Sequence, residues 1–203
     1  MGRQGEHKLN RAERMRLETA PDDDVQLMLA FQQGDESCFD KLFQRHKRAV
    51  INFALRFTGR AEVAEELAQE IFVKCFMARD TYRPTARFST WLYRIARNHC
   101  LNEVRRQDYR HRTEPLAEVT GESATPEQEA GARALRRRLA ASVAALPESQ
   151  RTALILCRFH GMSYDEIAAT METSVSAVKS LLNRARGSLL KRLAGHLEAH
   201  DEL

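Results

Sequence analysis

Residues 161–193 read GMSYDEIAATMETSVSAVKSLLNRARGSLLKRL, and their spacing predicts two helices separated by a tight turn. Ser163 followed by Glu166 is a capping box, in which each side chain serves a backbone N–H that the first helical turn leaves without a partner. The helix it starts bears Ile167, Ala168 and Met171, and Glu172, Thr173 and Ser174 then interrupt it. Ser174 can cap a second helix whose Val175, Val178, Leu182 and Ala185 face inward. Helix, three-residue turn, helix is the helix-turn-helix arrangement. With successive residues about 100° apart, Ser176, Lys179, Ser180, Asn183 and Arg184 take the opposite face. Small side chains there permit close approach to a major groove, and Asn, Lys and Arg suit base edges and phosphates. A plain helical hairpin with a solvated cationic face is the alternative.

Upstream of this motif, Leu135, Leu139, Val143 and Leu146 recur at helical spacing from Glu129 onward. Pro147 and a further helix through Leu154, Leu156 and Phe159 follow. Residues 107–128, QDYRHRTEPLAEVTGESATPEQ, contain two prolines, a glycine and small polar residues without periodicity, which predicts a linker.

Before the linker stands RFSTWLYRIARNHCLNEVRR, residues 87–106, with the only tryptophan of the chain. Leu92, Tyr93, Ala96, Cys100 and Val104 form one apolar arc, the natural core side. Trp91 falls instead on the arc of Arg94, Asn98, Asn102 and Arg105. An aromatic ring within a stripe of guanidinium and amide groups suits stacking on a base while its backbone is held. Equally, a tryptophan at a helix start can close a core, and arginines can lie over apolar surface. Phe88 and Ser89 are expected in the loop just ahead of the helix, either joining a base pocket or capping.

Further upstream, AEVAEELAQEIFVKCFMARD places Val63, Leu67, Ile71 and Cys75 on one stripe with Phe72 and Phe76 beside it, while Glu62, Glu65, Glu66 and Gln69 project elsewhere. Acids near a first turn also suit the helix dipole. Phe39, Leu42, Phe43, His46, Val50, Phe53, Ala54 and Phe57 mark a long amphipathic helix closed by Gly59, with His46 a satisfied structural residue. A short helix ending at Gly34 precedes it, with Asp24 as its cap.

The fold class expected is all-α: two small helical domains, 22–106 and 129–194, joined by a flexible linker at 107–128, with mobile tails at 1–21 and 195–203. The 203 residues allow such a division. Net charge is +4, but eight arginines between Arg83 and Arg112 meet six acids between Asp108 and Glu129, a blocked pattern that a solvated face also explains. Cys38, Cys75, Cys100 and Cys157 lie far apart, without a CxxC pair or zinc spacing, and read as buried thiols in a reducing compartment. No apolar run reaches the roughly 18 residues of a membrane span, so a cytoplasmic location is expected. Paired carboxylates in a plausible pocket, a phosphate-binding glycine loop and a metal cluster are all lacking, which argues against an enzyme and gives no cofactor or metal.

Five segments in order, FDKLFQRHKRAVINFALRFTG, AEELAQEIFVKCF, FSTWLYRIARNHCLNEVRR, LPESQRTALIL and the helix-turn-helix, resemble a bacterial sigma factor of the extracytoplasmic-function (ECF) group, sigma-70 family. The resemblance spans nearly all of Asp22 to Leu193. It implies a detachable promoter-reading subunit of core RNA polymerase, with regions 2 and 4 as its two helical domains. By that resemblance Glu62, Glu65, Glu66, Gln69 and Glu70 would clasp the polymerase beta-prime subunit, with the beta subunit a further partner. Phe88, Ser89, Trp91, Arg94, Asn98, Asn102 and Arg105 would read and open the -10 element. Ser174, Ser176, Lys179, Ser180, Asn183, Arg184 and Arg186 would enter the major groove at the -35 element. The linker acids would thread the polymerase cleft, and an anti-sigma protein would hold the factor inactive. The linker is too short for the additional domain of larger sigma factors. Val63, Asn102, Glu172 and Leu181 depart from the usual pattern, where Asp, Asp, Gly and Arg respectively are frequent. An autonomous helix-turn-helix regulator is the alternative, although it gives no role to the acidic helix or to the Trp91 stripe.

Overall fold

In the computed structural model the backbone is described for residues 23–113 and 138–198, with side chains for 23–106 and 138–193. The expected N-terminal tail, residues 114–137 with the linker acids from Glu114 onward and Leu135, and residues 199–203 lie outside the described residues, whereas helix continues through residue 113 into the expected linker and through residue 198 into the expected C-terminal tail. Every regular element among the described residues is helical.

The first group comprises α1 (Asp23–Gln32), α2 (Glu36–Thr58), α3 (Ala61–Met77), a single 3-10 turn (Arg79–Thr81) and α4 (Phe88–Thr113). Asp35 starts α2: its carboxylate accepts the Ser37 N–H at 3.1 Å and the Ser37 hydroxyl at 2.6 Å. Gly59 ends it at φ 75°, in the left-handed region where a side chain is strained. The same glycine admits a close neighbour, because a Cβ there would lie 3.1 Å from Ala144 Cβ. Leu42, Val50, Phe53, Ala54 and Phe57 of α2 are buried against Leu67, Ile71 and Cys75 of α3 and Leu92, Ala96 and Cys100 of α4. Val63, expected on the buried stripe of α3, is only half-buried; Ala64 and Ala68 take up the rest of that face. Gln32 pins the turn before α4 by donating to the carbonyls of Arg79 at 2.6 Å and Tyr82 at 3.2 Å.

Asp24 is not the cap expected of it. It lies inside the first turn of α1, buried, and its carboxylate binds the Arg45 guanidinium and sits 2.7 Å from His46 Nε2. Two partners on α2 outweigh the local cap. Burial alone would raise this carboxyl, but the hydrogen bond and charge of His46, then those of Arg45, hold it below its ordinary 3.8. With the native value depressed, the pairing stabilises in full above 3.8 and is lost as pH falls below it. Asp24→Asn is therefore expected to lower stability at neutral pH and to flatten its acid loss, measured by urea unfolding between about pH 7 and 3.

The second group comprises α5 (residues 138–144), α6 (Glu148–Phe159), α7 (Tyr164–Met171) and α8 (Val175–Glu198). Its capping box forms as expected, with Ser163 Oγ accepting the Glu166 N–H at 3.2 Å and Glu166 accepting the Ser163 N–H at 2.7 Å. Ile167, Met171, Val178 and Ala185 are buried, while Val175 and Leu182 are half-buried.

The two groups pack on one another through a continuous apolar core. Phe53 is central to the junction: its ring lies 5.7 Å from Phe57, 5.4 Å from Tyr93 and 5.8 Å from His160. Arg151 of α6, 9% exposed, donates to the Phe57 carbonyl at the end of α2 at 2.5 Å and to the Leu146 carbonyl at 3.0 Å. A guanidinium fits there because the last carbonyls of a helix carry partial negative charge.

Candidate nucleic-acid interface

The turn between α7 and α8 has the three residues expected, and Glu172 takes φ 53°, the only non-glycine at positive φ among the described residues. Ser174 caps α8 by accepting the Ala177 N–H at 3.2 Å, and its Oγ lies 2.9 Å from Ser176 Oγ. Ser174, Ser176, Lys179, Ser180, Asn183, Arg184 and Arg186 are all exposed, whereas Val178 and Ala185 are fully buried. Arg184 is steadied by donating to Ser180 Oγ at 3.1 Å. The helix thus offers a polar face carrying three cations, one amide and small hydroxyls. Lys179, Asn183 and Arg186 also border a cavity of about 570 Å³ whose other walls include Leu154, Leu189 and Leu193.

The α4 constellation is divided. Asn98, Asn102 and Arg105 are exposed, and Ser89, Trp91 and Arg94 are half-buried. Phe88 contradicts its expected place on the DNA-facing surface. It is 0% exposed, between His46 at 5.3 Å and Tyr82 at 6.2 Å, and holds the bundle rather than a base. Nor do Phe88 and Ser89 lie in a loop, since α4 begins at Phe88 with the Arg87 carbonyl accepting the Thr90 N–H at 3.0 Å. Trp91 stands between the two readings of its spacing: its indole packs 5.5 Å from Tyr82 and 5.9 Å from Phe88, and it is only partly exposed.

Several α4 arginines are engaged by the second group. Arg94 donates to the Ala169 carbonyl at 3.0 Å and lies 3.5 Å from Glu172. Arg97 and Arg105 both reach Glu148, at 3.2 and 3.4 Å, and Arg87 pairs with Glu166 at 3.3 Å. Exposed pairs such as Arg94–Glu172 contribute about 0–1 kcal/mol each, so they orient the groups more than they bind them. Arg97, Glu148, Arg151 and His160 were not candidates from sequence, although Glu148 and Arg151 lie in the quoted segment LPESQRTALIL. Their role depends on a surface some fifty or more residues away, which helical spacing does not encode.

On α3, Glu62, Glu65, Glu66, Gln69 and Glu70 are all exposed, opposite buried Leu67 and Ile71. Glu62 accepts from Arg60 Nε at 3.0 Å, and Glu70 is 2.5 Å from His99 Nε2. Beside them Phe39, Phe43, Phe72, Val73 and Phe76 line a shallow apolar groove of about 380 Å³. An acidic helix face next to apolar surface is a protein-binding pattern rather than a nucleic-acid one.

Two family models match in the order these surfaces occur, Sigma-70 region 2 over residues 42–110 and Sigma-70, region 4 over residues 136–189. The RNA polymerase sigma-H factor of Pseudomonas aeruginosa is 37% identical over 183 residues, which cover 84% of this chain and 93% of that protein. The ECF RNA polymerase sigma-E factor of Escherichia coli (strain K12) is 31% identical over 176 residues, covering 82% and 92%. Among solved structures, CnrH in complex with the cytosolic domain of CnrY superposes with a TM-score of 0.66 at 27% identity, covering 86% of this chain and 99% of that one. The chain belongs to the ECF group of the sigma-70 family. That family consists of non-catalytic transcription initiation factors.

Proposed function

We propose that this chain joins core RNA polymerase through the acidic face of α3, centred on Glu65, Glu66 and Gln69. The exposed face of α8 enters the major groove at the -35 element, and the polar stripe of α4 captures and helps to open the -10 element. The observation that carries this reading is the exposure of Ser174 and of six α8 residues, Ser176, Lys179, Ser180, Asn183, Arg184 and Arg186, over a buried Val178 and Ala185. Residues 22–106 act as region 2, 129–194 as region 4, and 107–128 as their connection. The chain works in the cytoplasm without catalysis of its own.

The packing of the two groups favours this over an autonomous regulator. While Arg94 donates to the Ala169 carbonyl and pairs with Glu172, this one arginine of the -10 stripe is held against the helix-turn-helix turn. A larger partner that separates them, core polymerase, would make both available. An anti-sigma protein controls the chain by binding it, as CnrH, a similar protein, is bound by the cytosolic domain of CnrY.

The test is reconstitution. Core polymerase supplied with the purified chain and fragments of its own genome is expected to start transcripts at discrete positions, with none from core alone. A chain that never associates with core, or that binds duplex sites tightly and specifically by itself, would overturn the proposal.

A further inference from the structure

The contact between the two groups is built around His160, which the roles above leave unused. It stands at the C-terminal end of α6, its ring beside Phe53 of α2 at 5.8 Å and Tyr93 of α4 at 4.6 Å. Nδ1 lies 2.7 Å from the Tyr93 hydroxyl, and Nε2 is buried without a hydrogen-bond partner. From α2 the charge that acts on it is the Arg56 guanidinium, stacked on the adjacent Phe159 ring at 4.2 Å. From α4 it meets the Tyr93 hydroxyl, whose ionisation burial strongly opposes. The carboxylates that join the groups, Glu148, Glu166 and Glu172, are each paired with arginines of α4 or with Arg87 just ahead of it.

We infer that His160 is an acid-sensitive wedge: neutral, it seals the two helical groups together, and protonated, it drives them apart and frees the α4 arginines and the helix-turn-helix turn. This rests on the proposed function only for its consequence, the release of DNA-facing residues. Protonation makes both ring nitrogens donors. Nδ1–H can give its bond to Tyr93, but Nε2–H faces no acceptor, and the new charge sits in an apolar pocket beside Arg56. Burial, with Arg56 adding to it, pushes the imidazole down to about 4 from its ordinary 6.5. A depressed value in the closed form means that closure is fully in force above 6.5 and weakens as pH falls toward 4. From about pH 7.5 to 5.5, linkage raises the ratio of open to closed molecules about tenfold.

The full chain, carrying an energy-transfer pair on non-natural residues at exposed positions 41 and 191, reads this ratio in single molecules. The native chain is expected to show the rise of about tenfold, while His160→Gln and His160→Asn stay within about twofold. Glu172→Gln, which removes an interface carboxylate and leaves the ring, is expected to keep the rise. An unchanged ratio in the native chain, the same rise in both His160 variants, or its loss in Glu172→Gln would overturn the wedge. The readout needs neither polymerase nor DNA. A chain that opens with acid yet never joins core polymerase keeps the wedge and loses the proposed function.

Discussion

Phe53→Ala is expected to lower the free energy of unfolding by about 3–5 kcal/mol, the range for emptying a buried aromatic site. The ring is fully buried and touches Phe57 on its own helix, Tyr93 on α4 and His160 at the end of α6. Such a cavity closes poorly, because its walls belong to three helices held elsewhere by Arg151, Gly59 and the Arg97–Glu148 pair. Phe53→Leu, which keeps most of the volume, is expected to cost about 1–1.5 kcal/mol. Urea unfolding followed by circular dichroism separates the two. A loss below about 1 kcal/mol for the alanine variant would mean that the two helical groups do not share a core at this point.

The second large effect concerns binding rather than stability. Glu65→Lys combined with Glu66→Lys is expected to weaken association with core polymerase about a hundredfold or more, since like charges brought together at an interface cost several kcal/mol. Both side chains are exposed on α3, pointing away from Leu67 and Ile71, so the fold should tolerate the change. Circular dichroism checks that tolerance, and surface plasmon resonance with immobilised core enzyme measures the affinity. Raised salt should weaken the native complex as well, because exposed charges are screened over about 10 Å at 0.1 M ionic strength. Unchanged affinity in a folded double variant would remove this face from the polymerase contact.

What could be read from the sequence was local. The Ser163–Glu166 box, the Ser174 cap and the left-handed Gly59 each depend on groups within a few residues of one another, and each forms as expected. The apolar arcs of α2 and α4 follow from helical period alone, which is why Leu92, Ala96 and Cys100 are correctly inside. Asp24 shows the limit. Its local signal favoured a cap, but Arg45 and His46, more than twenty residues further on, draw the carboxylate into a buried pair.

The site was legible in the same uneven way. On α8 the period separated the polar face from the core, because one helix packs there by one side. On α4 it could not, since that helix is covered twice, by α2 and α3 on one side and by α7 on another. Phe88 was misplaced because the helix begins at that residue and turns it inward. Glu172, unusual at a position where Gly is frequent, takes the left-handed conformation of a glycine and uses its side chain on Arg94. No local spacing distinguishes an arginine reserved for DNA from one that also holds the partner domain.

The division of α4 into a face that holds the fold and a face offered to a DNA strand is tested most directly at Trp91. The indole packs on Tyr82 and Phe88 and is only partly exposed, on the helix arc that also carries Arg94, Asn98 and Asn102. Trp91→Ala and Trp91→Phe are compared for helix content, core binding and promoter opening, the last by permanganate reactivity of unpaired thymines. Stacking on a base contributes about 1–3 kcal/mol, so Trp91→Ala is expected to keep its helices and its polymerase while opening the promoter roughly tenfold less well or worse, with Trp91→Phe in between. A folded, polymerase-bound Trp91→Ala chain that opens promoters as well as the native protein would contradict the division of faces.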